Sequence, residues 1–270
     1  MKRKFRRLCN RHRWIPVAIT ILFIALWLLL LWKVGALAEL ERDEMISFYI
    51  AAGVMLLCSL VAGSACSSYL MNPTVKSLNN QCDPFPLLAE CEDQFTYVKN
   101  KGNRQLLTIN HAAALIELGR NEEALAELEA LNIDAPAAMP VWRYVYYHNA
   151  ALASFNCGQR EKADAYRNKA NQQVPSVKSK KLQPMIRSTE RQLEAIHYLK
   201  DGDYTNARQI LGQCIELPDT LAKVHHAFLW GQLELAQGNP AAARVPLEFA
   251  AQYGNQLAVA ETARALLNKM

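Results

Sequence analysis

No CxxC pair occurs among the seven cysteines of this chain (Cys9, Cys58, Cys66, Cys82, Cys91, Cys157, Cys214), and no HExxH spacing among its six histidines (His12, His111, His148, His197, His225, His226). A glycine-rich phosphate loop and a nucleophile elbow are missing as well. The first absence argues against a cysteine zinc site, which a chain supplies through short-spaced ligand pairs. The others leave no constellation for metal-assisted hydrolysis, phosphoryl transfer or acyl transfer. Adjacent His225 and His226 point to different faces of a helix, so they are poorly placed to bind one metal. The sequence therefore predicts no enzyme activity and no cofactor. The odd cysteine count, and the core-like positions of Cys157 and Cys214, fit reduced thiols. Cys9, among bases beside an apolar run, is open to acylation.

Net charge is also missing from most of the chain. Residues 1–71 carry nine bases and four acids and so account for the whole formal charge of +5, while residues 72–270 hold 21 of each. Nucleic-acid binding needs a basic footprint, and the neutral segment does not offer one. Its charge is nevertheless uneven. Arg160 to Arg191 contains nine bases against Glu161, Asp164 and Glu190. Such a run reads as solvated helix faces, or, at Lys178, Lys180 and Lys181, as a contact for anionic lipid or an acidic partner.

Long apolar runs are confined to the N-terminal quarter. Trp14 to Trp32 is 19 residues without a charge, and Met45 to Met71 is another 27. At about 1.5 Å per residue the first reaches roughly 28 Å, close to the thickness of a hydrocarbon core of about 30 Å. Trp14 and Trp32 suit the two interfaces. Seven of the first thirteen residues are basic and none is acidic, so the N-terminus stays cytoplasmic and the chain returns to place its remainder on the same side. A cleaved signal peptide ending near Ala36-Leu37-Ala38 is the competing reading, but its apolar run exceeds the usual 7 to 15 residues. Ser59, Gly63 and Ser67 recur every four residues, a stripe that lets a helix pack closely, either within the same hairpin or in an oligomer.

The rest of the chain repeats one frame around Gly119, Gly158, Gly202 and Gly238. Seven residues before each glycine the side chain is small (Ala112, Ala151, Ala195, Gly231), and three before it is large and apolar (Ile116, Phe155, Leu199, Leu235). Five residues after each glycine comes alanine (Ala124, Ala163, Ala207, Ala243). Small positions let two backbones approach while the large ones fill the gap between them. Glycine ends a helix by taking the left-handed conformation cheaply, and Asn121, Asp203 and Asn239-Pro240 suit the start of the next. Each frame is a helical hairpin. No single hairpin buries its own apolar face, so the hairpins stack in a row.

The segments Ala112–Pro136 and Ala151–Pro175, and more loosely Tyr198–Pro218 and Trp230–Ala251, resemble tetratricopeptide repeats. The glycines are 39, 44 and 36 residues apart, against a family period of about 34, so longer connections such as Val174 to Gln183 loop out. Arg167 replaces an expected apolar residue in the second unit. The resemblance implies a concave groove that binds segments of other proteins. It places Asn110 and Asn149 at positions where the family often hydrogen-bonds a ligand backbone, with His148, Phe155, Gln192, Phe228 and Gln232 on the same inner face. It disfavours ligands held by their C-terminal carboxylate, because Ile109, His148, Gln192 and Phe228 stand where the family's clamp lysine falls.

The expectation is thus an all-α chain: a basic N-terminus (1–13), transmembrane helices at 14–33 and 45–71 joined by an outer loop (34–44), a linker (72–83), and a right-handed, tetratricopeptide-like α-solenoid (84–270). The solenoid begins with a helix at Phe85–Val98 and is sealed by an amphipathic helix at Gln256–Lys269. Two functions fit: a membrane-tethered adaptor for protein partners, or a structural subunit assembling with other membrane proteins, itself included, through its spans.

Overall fold

The computed structural model describes residues 14–33, 50–51, 53–58, 72–131, 140–180, 182–214 and 217–270, and within 14–33 the side chains of 18–29. Every regular element among them is helical. Two compact units emerge, Met1–Pro73 and Thr74–Met270.

In the first unit, α1 (Trp14–Lys33) is 20 residues of WIPVAITILFIALWLLLLWK, about 30 Å of helix. Pro16 is tolerated because it lies in the first turn, where backbone N–H groups have no helical partner. The described side chains cover about 18 Å of that length. Among the described residues no helix is long and apolar enough to cross a membrane. Residues 50–51 and 53–58 are also helical. The expected inner and outer segments 1–13 and 34–44, and Ser59, Gly63 and Ser67, lie outside the described residues.

The second unit begins earlier than the sequence suggested. Residues 72–81, read as a linker, are helical, with Thr74 and Leu78 buried and Cys82 completing the first step into the core. Pro73 misled the reading: placed next to a helix start it initiates rather than breaks. Next comes α2 (Phe85–Phe95), three residues shorter than expected at its end, with Leu87, Leu88 and Cys91 buried.

Four hairpins follow: α3 (Lys101–Glu117) with α4 (Asn121–Glu129), α5 (Pro140–Asn156) with α6 (Arg160–Gln173), α7 (Gln183–Asp201) with α8 (Tyr204–Gly212), and α9 (Thr220–Ala236) with α10 (Pro240–Tyr253). The same turn is built each time. Gly119, Gly158, Gly202 and Gly238 have φ of 77, 74, 72 and 76°. Each glycine N–H bonds the carbonyl three residues back, and the next N–H bonds the carbonyl five back, as in Arg120 to Leu115 at 2.9 Å and Asn239 to Glu234 at 2.8 Å. This pair of bonds is the Schellman closure, and it satisfies carbonyls the helix end leaves open. Asp203 then caps α8 by accepting from the Asn206 N–H at 3.1 Å.

The small positions are the contact points. Ala112, Ala151 and Ala195, and Ala124, Ala163, Ala207 and Ala243, are all fully buried. In the fourth hairpin the corresponding residue is Gly231, because Leu247 fills the space: a Cβ there would lie 2.6 Å from Leu247 Cγ. Neighbouring hairpins pack through α4 on α5, α3 on α5, and α7 and α8 on α9. The longest interval, between the second and third glycines, is taken up by a short 3-10 turn at Val174–Ser176 and an irregular stretch. There Phe155, Ala151 and Ala163 pack with Leu193, and Tyr144 Oη meets Thr189 Oγ1 at 2.7 Å. Arg167 is held within 4.0 Å of Asp164, a polar substitute for the apolar side chain of the frame.

α11 (Ala258–Leu267) packs on α9 and α10 with Ala260 and Ala263 buried. The turn before it does more than seal an end. Asn255 Nδ2 donates to the Gln81 carbonyl at 3.0 Å, and the Gln256 N–H to that of Cys82 at 3.3 Å. The row of hairpins therefore closes: its end returns to its beginning.

Candidate functional site

Residues 13, 10, 9, 6 and 2 positions before each glycine fall on one face of the first helix of a hairpin, since these intervals follow a 3.6-residue turn. That face carries Asn110 and Glu117 on α3, His148 and Asn149 on α5, Gln192 on α7, and His225, Phe228 and Gln232 on α9. Asn110, Gln192 and Gln232 are partly exposed. His148, Asn149 and Phe228 are buried. Asn149 Nδ2 reaches the Ile109 carbonyl at 3.5 Å and ties α5 to α3, while His148 stacks on Tyr144 with ring centres 6.0 Å apart. Phe155 sits elsewhere, in the core between the second and third hairpins. It packs with Ala163 on the partner helix and Leu193 on the next hairpin, which takes it out of contact with solvent. Lys178 and Lys180 are exposed on the connection before α7; Lys181 lies outside the described residues.

The strongest polar feature of this face was not anticipated. His225 Nε2 lies 2.8 Å from Glu117 Oε2, joining α9 to α3 across the closure, and the two side chains are only 13 % and 12 % exposed. Asp219 caps α9 by accepting from the Ala222 N–H at 2.9 Å. Cys82 is fully buried, at φ 53°. Its thiol feels both carboxylates: burial pushes it up to about 12, and Glu117 and Asp219 add to the shift. Burial opposes charge on His225, yet Glu117 and Asp219 outweigh it and hold the imidazole above its ordinary value. Burial raises Asp219 in turn, against the bond from Ala222. His148 moves the other way. Burial, reinforced by the charge on His225, takes it down to about 4.

This arrangement favours charge on one imidazole, beside carboxylates, and keeps the other, close by, uncharged near neutral pH. The neighbouring thiol is kept protonated, so it is a poor nucleophile. The cluster is suited to holding elements together and to hydrogen bonding. Among the described residues no three His, Cys, Asp or Glu side chains are grouped to hold a metal ion, and the described cysteines are free thiols. The other half of the His225-His226 pair turns to the Trp230 ring.

A second cluster binds the second hairpin to the third. His197 Nδ1 is 3.3 Å from Asp164 Oδ1, and its Nε2 is 3.2 Å from Asp201 Oδ2. Arg160 also pairs with Asp201 and, by donating to it, lowers that carboxyl below the usual range. His111 is similarly engaged, with Nδ1 2.8 Å from Glu127 Oε2 and its ring against the edge of Phe95. These histidines on first helices are tied into packing.

No family model matches the chain, and neither do any curated protein or solved structure.

Proposed function

We propose that the chain is a membrane-tethered adaptor: α1 and the apolar segment after it anchor it, and the tetratricopeptide-like row of hairpins binds a protein segment along its inner face on the cytoplasmic side. The observation that carries the anchor is the surface of α1. Ile19, Ile21, Leu22, Phe23, Leu26, Trp27 and Leu29 are all exposed. Those positions cover about two thirds of the helix circumference, where a water-facing helix shows a polar side. Ile50, Val54, Met55 and Leu57 continue the pattern. The adaptor part rests on the serial hairpins, and on an inner face where amide side chains, Asn110, Gln192 and Gln232, keep access to solvent. Side-chain amides both donate and accept, as recognition of a peptide backbone requires.

Two measurements test this. Alkaline carbonate washing of membranes from expressing cells should leave the full chain in the pellet. Affinity capture should then recover the same proteins with the full chain and with residues 74–270. Release by carbonate sinks the anchor. Partners seen only when the N-terminal unit is present favour a structural subunit that assembles through its spans.

A further inference from the structure

We propose that the Glu117–His225 contact is a latch that keeps the row of hairpins closed, and that its release opens the inner face. That the opened face receives a partner rests on the adaptor reading; the latch itself does not. The geometry points to a latch because a nearly buried charged pair sits where the end of the row meets its start. The contact lies between residues 108 positions apart in the chain. Beside it are two hydrogen bonds, Asn255 to Gln81 and Gln256 to Cys82, and the approach of Ala258 to Gly119, where an added Cβ would stand 3.1 Å from the Ala258 Cβ. Neighbouring hairpins, by contrast, share apolar clusters such as Ala195, Ala207, Leu211, Leu229 and Leu233. The closure, unlike that cluster, holds a charged pair.

Every titratable group facing His225 bears on its state. From α3 comes Glu117, from the turn after residue 81 Cys82, from α5 His148, and from the start of its own helix Asp219, with Lys223 acting on Asp219. The carboxylates favour the charged imidazole, so the seam is strongest while His225 keeps its proton and weakens as pH rises through its raised titration point. His148 sets the opposite limit. Held neutral, it gains a proton only in acid, and then places a second positive charge near His225. The closed form is thus favoured in a band of pH between the two.

Cys82 and Cys91 make the test possible in the full chain, held in detergent. Both are fully buried and both thiols are pushed up to about 12, but Cys82 lies at the seam and Cys91 in α2, which packs on α3. Pulsed alkylation read by peptide mass spectrometry gives the ratio of their labelling rates, and the ratio largely cancels the pH dependence of thiol chemistry. In the native chain it should climb as pH is raised through the titration of His225. Glu117→Gln should raise it at least tenfold at neutral pH. Because loss of this carboxylate also eases ionisation of Cys82 itself, the variant should speed hydrogen–deuterium exchange of the Gln256 amide at the seam as well, and a raised ratio with unchanged exchange overturns the latch. His225→Gln should make the ratio independent of pH. A ratio unchanged by Glu117→Gln overturns the latch. So does equal acceleration of Cys82 and Cys91, which means the pair serves global stability. Capture of partners by Glu117→Gln is scored separately: a raised ratio and faster exchange without added capture support the latch and count against the groove.

Discussion

Replacing Gly254 by alanine tests the close approach of three helices with one methyl group. Gly254 has φ −75° and ψ −5°, values any residue adopts, so the backbone raises no objection. The obstacle is space. An added Cβ would lie 2.5 Å from the Ala250 carbonyl oxygen on α10, 2.6 Å from the Ala260 Cβ on α11, and 3.2 Å from Val224 Cγ1 on α9. Favourable carbon contacts begin near 3.5 Å, so α11 must shift by almost 1 Å. None of these atoms ends a long flexible side chain that swings aside. Overpacking of this kind costs about 1–3 kcal/mol, offset by roughly 0.4–1 kcal/mol from the stiffer unfolded chain. The net is a loss of about 1 kcal/mol, or a melting point lower by roughly 2–4 °C for a unit of this size. Gly212→Ala is the control. It closes α8, meets nothing within 4 Å, and should stabilise by about 0.5–1 kcal/mol. Chemical denaturation of the full chain in detergent, followed by far-ultraviolet circular dichroism, reads both. If Gly254→Ala is neutral or stabilising, the tight junction of α9, α10 and α11 does not exist.

Gly119→Ala and Gly158→Ala share a turn and nearly the same φ, but only Gly119 meets a neighbour, Ala258. Both should destabilise by about 1 kcal/mol from the left-handed backbone, and Gly119→Ala further, with the difference abolished by Ala258→Gly. Asp203→Ala should cost about 1 kcal/mol through the lost α8 cap, measured by the same denaturation. As pH falls from about 6.5 towards 4, the unfolded chain takes up a proton that folded His148 refuses, so stability should drop by about 3 kcal/mol across that window. His148→Gln should flatten this acid limb, and a limb of unchanged slope refutes the assignment.

Local features were legible in the sequence and distant ones were not. The turns at Gly119, Gly158, Gly202 and Gly238 depend on six consecutive residues each, and the small positions around them on one neighbouring helix, so spacing alone predicts them. The Glu117–His225 pair depends on how slight rotations between hairpins add up over more than a hundred residues. Its only trace in the sequence is that both lie on the same helical face as Asn110 and Phe228. Phe155 lies seven residues after His148 and so on nearly the same side of α5, yet it is buried between the second and third hairpins, a consequence of inter-hairpin packing that the local spacing does not carry. The helix at 72–81 was missed because Pro73 begins it, while Val75, Leu78 and Cys82 already mark its apolar side.

An open stack of repeats tolerates growth, since another unit can be added at either end without disturbing the others. A stack whose final turn is hydrogen-bonded to its first cannot be lengthened in that way. Duplicating a hairpin here carries Gln256 out of reach of Cys82, and deleting one draws the two ends past each other. The number of units is therefore part of the design of this molecule.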